Sequence, residues 1–403
     1  MKKTLKKIFG MPQGYSRSLH LATILLAVFG LIMAVSTNMN AAQDSLMPLI
    51  NSAIKQLVYL ILSCIAMYLA AKFFSFPLVR AIMPVLVAIT ICALAITRMF
   101  APVNGAYAWI RLPIPGFEVT IQPSEFAKIM MIFIVAYFFG DKKPNEKTGW
   151  EVIKKPFYIM LVFVGIIMVI QKDLGSSLVL LALAFLCFII PSNKPLRKYQ
   201  NIALIIMIAG IAAVLFATTE EGIAFIKQYI PFLSGYQITR FELAVNPFVD
   251  RYVTGYQLVH SLIAFSRGGL FGLGLGKSLQ KYGYLPEART DFILAIIVEE
   301  LGFIAFIFIV VLYAIIIYQL FRYAFRVQLE RDKIILFGVA MYLFIHFLLN
   351  VGGVTALIPL TGVPLLLISS GGSSTMAVMM AIGICQNIIA KDESRRVKTE
   401  EEI

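Results

Sequence analysis

The chain has 403 residues, of which 60% are apolar and only 14% charged, with a formal net charge of +13. A soluble domain has roughly 45–50% apolar and about 25% charged residues, so this chain has too few charges to cover a soluble globule. The same composition excludes disordered, collagen-like and disulfide-framework proteins, and leaves an all-α polytopic membrane protein as the expected fold class.

In chain order, apolar runs predict helices over 19–36, 54–71, 80–98, 122–140, 156–171, 174–191, 201–217, 292–318, 334–351 and 371–390. With about 20 residues needed per crossing, these make about ten transmembrane helices. An even number puts both termini on one side. Lys and Arg concentrate at the N-terminus and in 141–155, 192–198, 322–333 and the C-terminal tail, while the short opposite loops hold almost none. The side holding both termini is therefore expected to be cytoplasmic. The chain divides into a cytoplasmic tail over 1–18, a transmembrane domain over 19–390 and a C-terminal tail over 391–403. The long segment 218–290 becomes one large extracytoplasmic loop between helices 7 and 8.

Most of the positive charge is then topological and faces anionic membrane lipids. No nucleic-acid partner is expected. The basic start runs straight into the first span without a small-residue cleavage pattern. Cys64, Cys92, Cys187 and Cys385 sit in apolar runs without metal-ligand spacing and read as small buried hydrophobes. The C-terminal KDESRRVKTEEEI reads as a solvated tail, with a partner site as the alternative.

Chemistry is sought among the ionisable groups near span ends, where charge is costly. In TIQPSEFAK, Pro123 suits a first helical turn, and Glu125 lies one turn from Lys128. Lys128 is deep for a lone ammonium, and an ion pair with Asp173 of the QKDLG turn is the expectation. The segment 218–254 contains Tyr236, Arg240 and Phe241, and is expected to carry short helices lying on the membrane that gate or line a groove. Glycines 268, 269, 272, 274 and 276 precede Lys277 and Ser278, but Phe271 occupies the first glycine position of a phosphate loop. They imply a tight loop whose backbone closely approaches another group, with a phosphate as one option. Asp291 opens a long helix after Pro286–Glu287–Ala288–Arg289–Thr290. It is either a carboxylate complementing the helix dipole or a general base, and these residues alone leave both open. Glu299 and Glu300 lie two turns further in, and at least one is expected to pair inside the bundle.

Together VNGAYAWI (103–110), IQPSEFAK (121–128), QKDLGSS (171–177), GYQLVHSL…VEELG (255–302) and NVGGVTALIPLTGVPLLLISSGGSS (350–374) resemble the SEDS family of bacteria. These are the FtsW, RodA and SpoVE proteins of division, elongation and sporulation. GKSLQK followed by YLPEARTDF is more similar to the FtsW branch than to RodA. The resemblance implies a peptidoglycan glycosyltransferase that polymerises lipid II on the outer face of the bacterial cell membrane during septal wall synthesis.

It also implies that Asp291 is catalytic and that Trp109 matches a tryptophan needed for activity. Its implied partners are lipid II, a class B penicillin-binding protein and other divisome proteins. Three positions depart from the family pattern: Ala108 for Arg, Lys172 for Pro and Ser370 for Tyr. For that reaction Asp291 would take the proton of the acceptor hydroxyl. Lys128, Arg240, Arg267, Lys277 or a divalent cation such as Mg or Mn would face the pyrophosphate. Trp109, Asp173 and Glu287 complete the candidate substrate site. Competing readings are a transporter of lipid II or another polyprenyl lipid, a scaffold for a transpeptidase, and an elongation or sporulation paralogue.

Overall fold

The structure, a computed structural model, describes residues 10–39, 46–103, 105–114, 117–140, 149–229 and 235–401. Lys2, Lys3, Lys6 and Lys7 of the basic start, Asn104, and the basic stretch 141–148 fall outside these residues; of Tyr236 the backbone alone is described.

Every apolar run of the sequence falls on helix. The first helices are α1 (Arg17–Thr37), α2 (Met47–Phe73), α3 (Phe76–Ala81) and α4 (Met83–Ile96). A hairpin of β1 (Ile110–Ile114) and β2 (Phe117–Ile121) precedes α5 (Pro123–Phe139), α6 (Gly149–Gly165), α7 (Leu174–Ile189) and α8 (Arg197–Ala217). Three shorter helices follow, α9 (Glu220–Tyr229), α10 (Gly235–Val245) and α11 (Tyr256–Gly268). Then come α12 (Ile293–Arg326), α13 (Glu330–Val354) and α14 (Gly372–Glu401). Among the described residues, seven helices are long and apolar enough to cross a membrane, and Met83–Met99 and Leu174–Ile189 are shorter apolar helices.

Burial separates a central from a peripheral set. The first turns of α12, most of α5 and most of α14 are buried all round, as a helix with no polar face requires. By contrast α2, α4 and α8 leave rows of Leu, Ile and Val exposed, such as Leu57, Ile61, Leu69, Ile205, Ile208 and Leu215. Apolar surface of that extent is stable only against lipid. Small residues bring backbones together in the centre. Gly30 of α1 packs where a Cβ would stand 2.4 Å from Leu367 O, and Gly383 of α14 where it would stand 2.2 Å from Met67 O.

Three features differ from the sequence expectation. The run over 80–98 is two helices broken at Ile82, because Pro84 cannot donate to the preceding turn and starts a new helix at its second position. The stretches 110–114 and 117–121 are strands that pair antiparallel, Ile110 with Ile121 and Leu112 with Val119. The C-terminal segment is not a free tail: α14 continues to Glu401, with Lys391 Nζ donating to Phe74 O and Arg396 to Asp392 and Arg326 O.

The segment 218–290 does contain short helices. An ion pair of 2.5 Å between Lys227 and Glu242 ties α9 to α10, and α11 buries Leu258, Val259 and Ala264.

Candidate active site

The hairpin, the turn at 171–173, α10, the turn before α12 and the loop after α13 converge at one end of the bundle. The turn before α12 is tightly wound. Glu287 O accepts from Thr290 N (3.2 Å) and Phe292 N (3.1 Å), and Thr290 Oγ1 donates to Glu287 Oε2 at 2.8 Å. This folds Glu287 back beside Asp291. Across from Asp291 lies Gly362, whose φ of +71° lies in the left-handed region that glycine tolerates without strain. A Cβ built there would stand 3.5 Å from Asp291 Oδ2 and 4.0 Å from Arg240 Nη2. Carboxylate and guanidinium therefore face one crevice floored by a residue with no side chain.

Asp291 is half-buried. Desolvation, reinforced by the nearby Glu287 and Asp173 charges and opposed by Arg240, pushes its carboxyl up to about 7. Asp173 caps α7, accepting from Ser176 N at 2.9 Å and from Gln122 Nε2 at 3.4 Å. Four of the sequence-derived residues, Asp291, Glu287, Arg240 and Asp173, thus occupy one neighbourhood. Trp109 is half-buried directly ahead of β1 and adjoins the same turn through Tyr107, whose N–H donates to Gln171 O at 2.8 Å.

Three expected assignments change. Lys128 does not pair with Asp173. Its ammonium, fully buried, lies 2.7 Å from Glu125 Oε1 and 3.2 Å from His346 Nε2, and Tyr342 donates to the other Glu125 oxygen. The i,i+3 neighbour on the same helix satisfies the charge before any residue of another turn can. Arg267 is drawn to Glu299 at 3.4 Å, and neither it nor Lys277 is among the charges that shift the Asp291 carboxyl.

The glycine loop closely approaches protein backbone. Gly302 has φ +76° and ψ −177° and interrupts α12. The carbonyls of Glu299 and Glu300 accept from Leu273 N (2.9 Å) and Gly274 N (2.8 Å). In exchange Phe303 N and Ile304 N donate to Gly269 O (2.9 Å) and Leu270 O (3.3 Å). A break inside an apolar helix is permitted because the loop replaces each hydrogen bond it removes.

Glu299 and Glu300 both point inward, so the expected internal pairing holds for each. Glu299 accepts from Ser278 Oγ and from the N–H groups of Leu279 and Gln280. Glu300 pairs with the buried Lys281 at 2.7 Å and accepts from Ser36 at 2.5 Å.

Among the described residues, no group of three or more His, Cys, Asp or Glu could hold a metal ion, and the positive charge facing Asp291 is that of Arg240. Sequence reasoning did not single out Gln122, Asn350 or Gly362, although each lies in a quoted motif. It also passed over Lys55 of α2. With Tyr59, Leu62, Val119, Phe126 and Met376, Lys55 lines a cavity of about 230 Å³ between α2, β2 and α14.

A bundle of apolar helices long enough to cross a membrane, with a carboxylate and a guanidinium brought together at one end, defines a polytopic helical membrane protein. The chain belongs to the cell cycle protein family of FtsW, RodA and SpoVE, whose family model matches residues 16–394. It is 34% identical over 393 residues to a probable peptidoglycan glycosyltransferase FtsW of Lactococcus lactis, covering 93% of this chain and 92% of that one. The same-named protein of Bacillus subtilis is 30% identical over 381 residues, covering 94% and 91%.

The fold is that of a solved structure described as structural coordination of polymerization and crosslinking by a peptidoglycan synthase complex. The TM-score is 0.71 at 23% identity, covering 94% of this chain and 98% of that one. Rod shape determining protein RodA of Thermus thermophilus has a TM-score of 0.62 at 22% identity, covering 94% and 97%.

Proposed function

We propose that this protein is a peptidoglycan glycosyltransferase that polymerises lipid II on the outer face of the cytoplasmic membrane, with Asp291 as general base. The family supports the reaction class, and the names of the FtsW relatives support a role in septal wall synthesis. The observation that carries the mechanism is the crevice in which Asp291 and Arg240 face each other over Gly362.

Both termini are cytoplasmic in this reading, with about ten spans, and segment 218–290 lies outside. The reacting sugars then meet at the bundle end formed by α10, the α12 turn and the 355–371 loop. The sugar 4-hydroxyl of one chain attacks the anomeric carbon of the other. A new C–O bond forms there as the bond from that carbon to the pyrophosphate breaks. The hydroxyl proton passes to Asp291, and the electron pair leaves with the polyprenyl pyrophosphate. A carboxylate with its pKa near 7 is matched to proton transfer at neutral pH. Arg240 stands where it can stabilise charge growing on the leaving pyrophosphate. Single displacement converts an α-linked donor into a β-linked product.

Asp173 and Glu287 hold the acidic side of the crevice, and Trp109 packs a sugar face or the prenyl tail. The apolar cavity beside Lys55 suits part of that tail. Lys128, Arg267 and Lys277 have no part in this chemistry; the first two support the fold through Glu125 and Glu299. A class B penicillin-binding protein is the proposed partner, consistent with the peptidoglycan synthase complex whose fold this chain shares.

Purified protein, alone and with that partner, is to be given labelled lipid II and compared with Asp291→Ala. Glycan strands that disappear in the variant are expected. Movement of lipid II across the vesicle membrane without strands would establish the transporter reading instead.

A further inference from the structure

The three carbonyls leading into α12 are each held by a different donor from outside their own turn. Arg289 O accepts from Ser370 N at 2.9 Å, Thr290 O from Ser369 Oγ at 2.7 Å, and Asp291 O from Asn350 Nδ2 at 2.8 Å. The donors are themselves fixed. Asn350 spends its other N–H on Val363 O at 2.9 Å, and Ser369 Oγ accepts from Leu365 N at 2.9 Å. One amide therefore ties the Asp291 backbone to the strand of loop that carries Gly362, the residue across the crevice from the Asp291 carboxylate.

One turn back on the same face of α13, His346 holds the next carbonyl, Pro364 O, at 3.4 Å through Nδ1. Its Nε2 faces the Lys128 ammonium at 3.2 Å. An ammonium offers only donors, so Nε2 accepts and the ring proton sits on Nδ1, aimed at Pro364. The buried Glu125–Lys128 pair thus sets the His346 tautomer that anchors the loop.

We infer that Asn350 and Ser369 are positioning residues for Asp291, clamping its backbone so that the carboxylate meets the acceptor hydroxyl, with His346 and Lys128 holding the loop side of the clamp. The inference rests on Asp291 acting as the base. Carbonyls at any packed helix start need partners, but here the partners come from two other elements and one of them, Asn350, also holds the loop that carries Gly362. Such a tie suits a base that must stay within about 0.5 Å of its proton.

The test uses the full-length protein in lipid vesicles with Asn350→Ala, Ser369→Ala and Ser369→Thr. Each Ala variant loses two hydrogen bonds; if they matter only to orientation, kcat should fall about tenfold while KM stays within about threefold. Ser369→Thr, which keeps the hydroxyl, should recover most of the rate lost in Ser369→Ala.

A second readout needs no catalysis. In an Asp291→Cys background, a membrane-impermeant maleimide should label position 291 several-fold faster once Asn350 is replaced by Ala. Labelling of Lys277→Cys should be unchanged. Folded Ala variants that keep kcat, or lose kcat and KM affinity alike without Thr rescue, would overturn the clamp. If the wild-type protein makes no strands, the enzymatic reading fails and labelling alone decides: an unchanged rate at 291 overturns the inference. Should Asn350→Ala fail to fold, Ser369→Ala, which removes a single oxygen, is judged by both readouts in its place.

Discussion

A carboxylate becomes a base at neutral pH when its surroundings disfavour its charge without removing it from reach. At Asp291 burial and the Glu287 and Asp173 carboxylates raise the pKa, and Arg240 limits the rise. The sign of two substitutions follows. The base works ionised, so the polymerisation rate should rise with pH through an apparent pKa near 7. Arg240→Ala removes the positive charge that favours the anion and should move that limb to higher pH. Glu287→Gln removes a like charge and should move it lower. Rates measured across pH check both, and shifts in the opposite directions would remove these two groups as its electrostatic neighbours.

Lys128 gives a contrasting expectation. Lys128→Met leaves Glu125 buried without its cation and should cost about 3–5 kcal/mol of stability, read by thermal unfolding in detergent. Exchanging Glu125 and Lys128 should recover part of that loss, whereas exchanging Lys128 with Asp173 should recover none. Sequence placed both Asp291 and Lys128 at costly depths, and Glu125 was visible one turn away. The partner was misassigned because depth says that a charge must pair without saying with which neighbour.

At the scale of elements, the broken α12 and its glycine strap form one unit. Gly302 needs a positive φ, and a Cβ on it would lie 2.2 Å from Leu270 O. Gly302→Ala should therefore destabilise the protein by about 3 kcal/mol or more. It should do so while leaving the Asp291 turn chemically unaltered. A low yield of folded protein, with normal kcat in what folds, is the expected outcome; full stability would mean that the strap is not needed.

The glycine cluster was legible as a place of close backbone approach. Its target was not, because the complementary hydrogen bonds join residues about thirty positions apart and leave no local pattern. The hairpin had a local signal in the alternation of IRLPI and FEVTI around Pro115–Gly116, overlooked beneath the stronger helical periodicity on either side. The break at Ile82 was likewise written in Pro84.

Across the whole molecule, the helices were readable because lipid demands long apolar runs and internal backbone hydrogen bonds. Where those helices end relative to one another was not readable. Arg240 and Lys277 are both cations of the segment 218–290, and nothing in their local sequence says which one faces Asp291. The fold brings the Arg240 guanidinium beside Gly362 and close enough to Asp291 to act on its charge. Asn350 and Gln122 were passed over for the same reason, since an amide inside an apolar run shows its use only once its partners are in place.

The most direct measurement compares wild type with the isosteric Asp291→Asn in the same vesicles, following glycan synthesis from labelled lipid II between about pH 5 and 9. Wild type should be active with an ascending limb near neutrality. The variant, folded and still binding lipid II, should lose at least about a hundredfold in rate and the limb with it. A variant that keeps most of the wild-type rate, with the limb in place, would contradict Asp291 as the base.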